Sequence, residues 1–142
     1  MVMKRESILE AIRTALDGTV QVGSRIYRSR VEAIARNEAP VLIVEPTDDN
    51  ARQDPVSQCW IDWSLGVDVI VHTRGQVPEQ MSAAIQVDVH AKIMADRTLG
   101  GLAMDVWPAR VQYLRDQADQ TAGWAVMSYS VRYRTRVADL ES

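Results

Sequence analysis

From Cys59 to Val71, seven consecutive odd-numbered positions are apolar (Cys59, Ile61, Trp63, Leu65, Val67, Val69, Val71), while the even positions between them include Asp62, Ser64, Gly66 and Asp68. Strict alternation of this kind predicts one long β-strand with a single buried face. A second run closes the chain. Ala125, Met127, Tyr129, Val131, Tyr133 and Val137 share one face, and Trp124, Ser128, Ser130, Arg132, Arg134 and Arg136 share the other. Two long strands, each wet on one side, predict an antiparallel sheet.

The remaining elements follow from other periods. Ile8, Leu9, Ile12, Ala15 and Leu16 recur at helical spacing, so Lys4 to Leu16 reads as an amphipathic helix stopped by Asp17-Gly18. Arg25 to Arg28 is a candidate short strand, and Val31 to Asn37 fits either a helical turn or a loop. Val41 to Val44, bounded by Pro40 and Pro46, reads as a strand buried on both sides. Glu45 to Ser57 is rich in turn formers and lacks either period, so a loop is expected there. Pro78 opens a candidate helix to about Asp96, with Met81, Ala84, Ile85, Val89 and Ile93 as its stripe and Gly100-Gly101 beyond its end. Residues 85–93 also alternate strictly, which leaves a strand open. Ala103 to Leu114 is a strand in which Pro108 implies an edge position or a bulge. Arg115 to Gly123 then forms a long hairpin loop. The order predicts an α+β domain covering residues 1–142, an antiparallel sheet of about four to five strands with two helices packed on one face.

A chain of 142 residues has enough core to fold without a metal or disulfide. Cys59 is the only cysteine, and its place in the apolar run predicts a buried, inert thiol. Sixteen basic against 19 acidic residues give a net charge of −3, too near neutral for a protein whose main work is nucleic-acid binding. No run approaches a membrane span, and the charged start, Met1 to Glu6, does not resemble a signal peptide; use in the cytoplasm without membrane attachment is expected.

No catalytic motif emerges. His72 and His90 lack metal-site spacing and read as surface polar residues. Gly100-Gly101 has neither the spacing nor the lysine of a phosphate loop, and no serine sits in a nucleophile elbow. Asp48, Asp49 and Asp54 resemble a calcium loop only superficially, because the glycine and terminal glutamate are missing. Three features point instead to contact surface. Arg132, Arg134 and Arg136, with Arg110 nearby, put like charges on one face; compensation comes from Asp62 or Asp68, from solvent, or from an acidic patch on another subunit. Trp60 and Trp124 fall on otherwise polar strand faces. The segments 46–55, with Asp48, Asp49, Arg52 and Asp54, and 115–123, with Asp116 and Asp119, are exposed connections. An enzyme using Asp68 or His72 is the alternative from another class.

Arg25-Ile26-Tyr27, the run Ala39-Pro40-Val41-Leu42-Ile43-Val44 and the long strand ending near Thr73-Arg74-Gly75 resemble the opening half of small tail-completion proteins of long-tailed bacteriophages. Asp96-Arg97-Thr98-Leu99-Gly100-Gly101-Leu102 and Tyr129-Ser130-Val131-Arg132-Tyr133-Arg134-Thr135 resemble their closing half. The resemblance is to the tail terminator group, typified by the minor tail protein U of phage lambda, and spans nearly the whole chain. It implies a non-enzymatic α+β subunit, without cofactors, that forms a homohexameric ring on the head-proximal end of the tail tube. Such a ring, assembled in the host cytoplasm and carried in the virion tail, stops polymerisation of the major tail tube protein and offers a face to the head-tail connector protein. Head-closure and neck proteins resemble the sequence at the same level.

Overall fold

The computed structural model describes residues 2–29, 39–53, 58–116 and 121–141. The candidate element at 31–37, and with it Asp54 and Asp119, lies outside the described residues. Helix α1 (Lys4–Ala15) is followed by strands β1 (Ile26–Arg28), β2 (Val41–Gln53) and β3 (Trp60–Arg74). Helices α2 (Pro78–Met81) and α3 (Ala83–Met94) then lead to strands β4 (Asp105–Arg115) and β5 (Ala122–Arg136). The five strands form one sheet in the order β1-β2-β3-β5-β4. Three of its junctions are antiparallel, as the alternation implies, whereas the three-residue β1 runs parallel to β2. The sheet is therefore mixed.

One face of the sheet is covered. Leu65, Val67, Val69 and Val71 of β3 and Ala125, Met127, Tyr129, Val131 and Tyr133 of β5 meet Ile8, Leu9, Ile12 and Leu16 from the first helical segment and Ile85, Val89 and Ile93 from α3 in one core. Those α3 residues are spaced by four, so a helix buries all three on one side, which a strand would also do only by burying Val87 with them. Val87 is in fact 72% exposed. The helical segment bends at Ser82, whose hydroxyl donates to the Glu79 carbonyl at 2.8 Å, and Met81 and Ala84 lie outside the buried stripe. Arg28 clamps β1 to α1 through Glu6 at 3.0 Å and Glu10 at 2.9 Å, and Lys4 Nζ donates to the Arg134 carbonyl at 2.9 Å.

Several expectations change. The segment expected as a loop from Glu45 is strand as far as Gln53, continuing β2 beside β3 as an arm that reaches the row of Asp62 and Arg134, where the start of α1 docks. Between Pro46 and Asp49 the register shifts, so Thr47 and Asp48 together face Gly66. This bulge breaks the period-2 signal by which a strand is read. A Cβ on residue 66 would lie 2.1 Å from Thr47 Oγ1, so glycine makes room for the bulged threonine. Cys59 is exposed, because β3 begins one residue later and the thiol precedes the buried part of the face. Val137 is 54% exposed for the mirror-image reason, since β5 ends at Arg136. His72, read as a surface polar residue, is 1% exposed. It sits opposite Val41 and Trp124, on the short stretch where the sheet's second face is also buried.

Candidate assembly surfaces

The face of the sheet turned away from the helices carries the polar positions of β3 and β5. Ser64 Oγ and Ser130 Oγ are 3.1 Å apart, and Ser128 donates to Asp68 at 2.7 Å. With Asp48, Asn50 and Arg110 these side chains line an open trough of about 470 Å³. Asp48 is exposed at the bulge, where the Thr47 hydroxyl and the Asn50 amide donate to it at 3.2 and 3.4 Å. The trough thus has an acidic lip on the arm and a basic one on the edge strand.

The three arginines of β5 have different surroundings. Arg134 is tied to Asp62 across the β3–β5 junction, at 2.7 and 3.4 Å, and its hydrogen bond holds the Asp62 carboxyl below the ordinary 3.8. The Arg136 guanidinium lies 5.4 Å from the centre of the Trp60 ring, a cation–π distance. Arg132 is exposed, with Ser64 and Asp105 as cross-strand neighbours. Arg52, also exposed, stands opposite Asp62. Asp62 therefore supplies the compensation that like charges on one strand require, and Arg132 is left facing outward.

Asp49 is drawn inward. The Tyr133 hydroxyl donates to its Oδ2, while Oδ1 is buried without a partner among the described residues. Burial raises the Asp49 carboxyl above its ordinary 3.8, against the opposing pull of the Tyr133 hydrogen bond and the Arg5 charge. The same burial and that carboxylate push the Tyr133 phenol up. Beside them Trp63 stacks on Tyr133 with ring centres 6.2 Å apart and donates to Thr135 Oγ1 at 2.9 Å. This cluster fixes the arm to the body, so Asp49 holds position where Asp48 presents charge.

At the other end of the sheet, Asp116 closes the β4–β5 hairpin through its backbone N–H to the Ala122 carbonyl at 3.0 Å. Trp124 is half-buried against His72, with ring centres 5.1 Å apart, rather than standing free. Neither nitrogen of His72 has a hydrogen-bond partner among the described residues. Burial and the nearby Arg74 charge lower its pKa from 6.5, outweighing Gly123 and Asp116. Burial closes the His72 ring of the Asp68-or-His72 alternative, while Asp68 lines the open trough and accepts from Ser128. Among the described residues, no group of three or more His, Cys, Asp or Glu side chains is placed to hold a metal ion, and no helix is long and apolar enough to cross a membrane.

Sequence reasoning expected an edge position or a bulge at Pro108, and β4 has both, but it missed what that edge displays. Along β4, Trp107, Val111, Tyr113 and Leu114 are 58, 43, 56 and 48% exposed. The register shift between Pro108 and Arg110 interrupts the alternation, so the two sides cannot be sorted by counting twos. Val111 and Tyr113 stand on the helix side with Val87, above an apolar groove of about 400 Å³ that also reaches His90 and Tyr129. His90 Nδ1 and the Tyr129 hydroxyl are 3.0 Å apart there. Natural proteins normally blunt such an edge, and an apolar one is a place where another chain binds.

The family model for phage minor tail protein U matches residues 3–133. The chain belongs to that family. This membership makes it a structural component of a phage tail. No curated protein matches the sequence. Similar solved structures include a chain from the virion of a native gene transfer agent particle, with a TM-score of 0.58, 10% identity, and coverage of 90% of this chain and 95% of that one. At that identity the likeness concerns the fold.

Proposed function

We propose that this minor tail protein is a tail terminator: it caps the head-proximal end of the tail tube, halts addition of the major tail tube protein, and presents a face to the head-tail connector protein. The observation that carries the reading is the match to the minor tail protein U family over nearly the whole chain. The molecule's surfaces agree with a part made to be joined on several sides. It has an apolar edge strand, a polar trough with lips of opposite charge and an arm with one open edge, and its one buried histidine is closed to substrate. In this reading the chain is a single unit, acts without cofactor or catalysis, forms a homohexameric ring, assembles in the host cytoplasm and remains in the virion tail.

Contact residues on this reading are Asp48, Arg52, Trp60, Arg110, Arg132 and Arg136, which lie at the arm, the trough and the end of β5. Asp49 and Arg134 hold that surface in place, while Trp124 packs on His72 at the other end of the sheet. The test is location. A tagged copy labelled with gold antibody in purified tails should appear once per tail, at the end that meets the head. Labelling along the tube or at the distal tip would contradict a terminator.

A further inference from the structure

Each molecule has two strand edges that lack a neighbour among the described residues. One is the outer edge of β4, over Asp105–Arg115. The other is the outer edge of β2 beyond Val44, where the three-residue β1 has ended and residues 45–53 run on beside β3 alone. They lie at opposite ends of the sheet. Unpaired backbone N–H and C=O groups along a strand are a template for a further strand, and β4 adds exposed Trp107, Val111, Tyr113 and Leu114 to that template.

We propose that the β4 edge receives the β2 arm of a second copy of this chain, joining the two sheets edge to edge. Charge complements this pairing. The arm carries exposed Asp48 and, four residues on, exposed Arg52, whereas β4 carries Asp105 ahead of exposed Arg110. Antiparallel strands that set Asp48 beside Arg110 therefore bring Arg52 towards Asp105, two pairs of opposite charge. Asp48 and Arg110 line the same trough on the face away from the helices, so a sheet continued from copy to copy keeps the acid of one on the same side as the base of the next. Strand lengths are compatible, 11 residues in β4 against residues 45–53 of the arm. Because the two edges differ, the contact is head-to-tail, and each copy added leaves one open edge of each kind until the assembly closes.

This contact rests on the assembly role proposed above, and its test keeps the two apart. In a Cys59→Ser background, particles are assembled with Asn50→Cys, Trp107→Cys or both, and treated with a short bis-maleimide. The double variant should give a covalent ladder of this chain, and each single variant only monomer. In parallel, Arg110→Glu and Asp48→Arg should each reduce particle yield about ten-fold, and the two together should recover most of it. Thermal melts of each variant verify folding. Dimers from Trp107→Cys alone, cross-links to the tube protein instead of a second copy, or folded charge variants with undiminished yield would each overturn the contact. Tail length on the same particles reports the termination role separately: normal tails without a ladder sink the edge contact alone, and overlong tubes with a complete ladder sink termination alone.

Discussion

Single residues in this protein divide into those that present charge and those that hide it. Asp48 and Asp49 are adjacent, yet the bulge turns one to solvent and the other toward Tyr133. Position along the sequence could not separate them, because a one-residue slip reverses the face of every later side chain. His72 is the clearest hidden group, and its environment has a measurable consequence. Its folded-state pKa lies below 6.5, so as pH falls through that value the unfolded chain takes up the proton first. Stability from this residue is intact above about pH 6.5 and declines below it, at a rate that cannot exceed about 1.4 kcal/mol per pH unit for one proton. Glu6, Asp62 and Asp105, all held below their ordinary carboxylate values by arginine hydrogen bonds, lose stability only at lower pH. Urea unfolding at about pH 7.5 and about pH 5.5 should therefore show a loss that His72→Gln largely removes. An equal loss in both proteins would assign the slope to other groups.

Elements were legible where their period was unbroken. The first helix, β3 and β5 stand close to where alternation and helical spacing put them, and Val41–Val44 is buried on both sides as a continuous apolar run implies. Legibility ended at bulges and boundaries. The β2 arm was hidden by Pro46 and the bulged pair after it, and Cys59 was misplaced because a strand was begun one residue early. The residues proposed for contact were harder still, since exposure of β4 depends on its having no partner beyond β5 among the described residues, which is a property of topology. Packing between elements yields its own prediction. Gly123 of the hairpin lies against α2: a Cβ there would be 2.6 Å from Pro78 Cβ and 3.3 Å from the Leu114 carbonyl oxygen. The proline ring is rigid and the carbonyl belongs to the ladder, so neither yields easily. Gly123→Ala should cost about 1–3 kcal/mol in chemical denaturation, by the usual penalty of overpacking. An unchanged midpoint would mean that α2 can shift without loss.

At the scale of the whole molecule, the helices and one sheet face make the core, while most of the other face, the arm and the β4 edge are exposed, and the proposed role assigns them to partners. The basic end of β5 separates folding from assembly. Replacing Arg132, Arg134 and Arg136 together by serine removes, among the described residues, the half-exposed Arg134–Asp62 ion pair and the Arg136–Trp60 cation–π contact, so stability should fall by only about 1–2 kcal/mol. Incorporation into particles, followed by immunoblot of purified tails, should fall much further; normal incorporation would show that this face meets nothing. The central claim is that this chain ends the tail tube. Its most direct test is negative-stain microscopy of particles from the parent phage or induced prophage with the gene deleted and then restored in trans. Overlong, headless tubes that return to normal length on restoration are the predicted result. Tails of normal length lying beside filled, tailless heads would contradict it and make the protein a neck component instead.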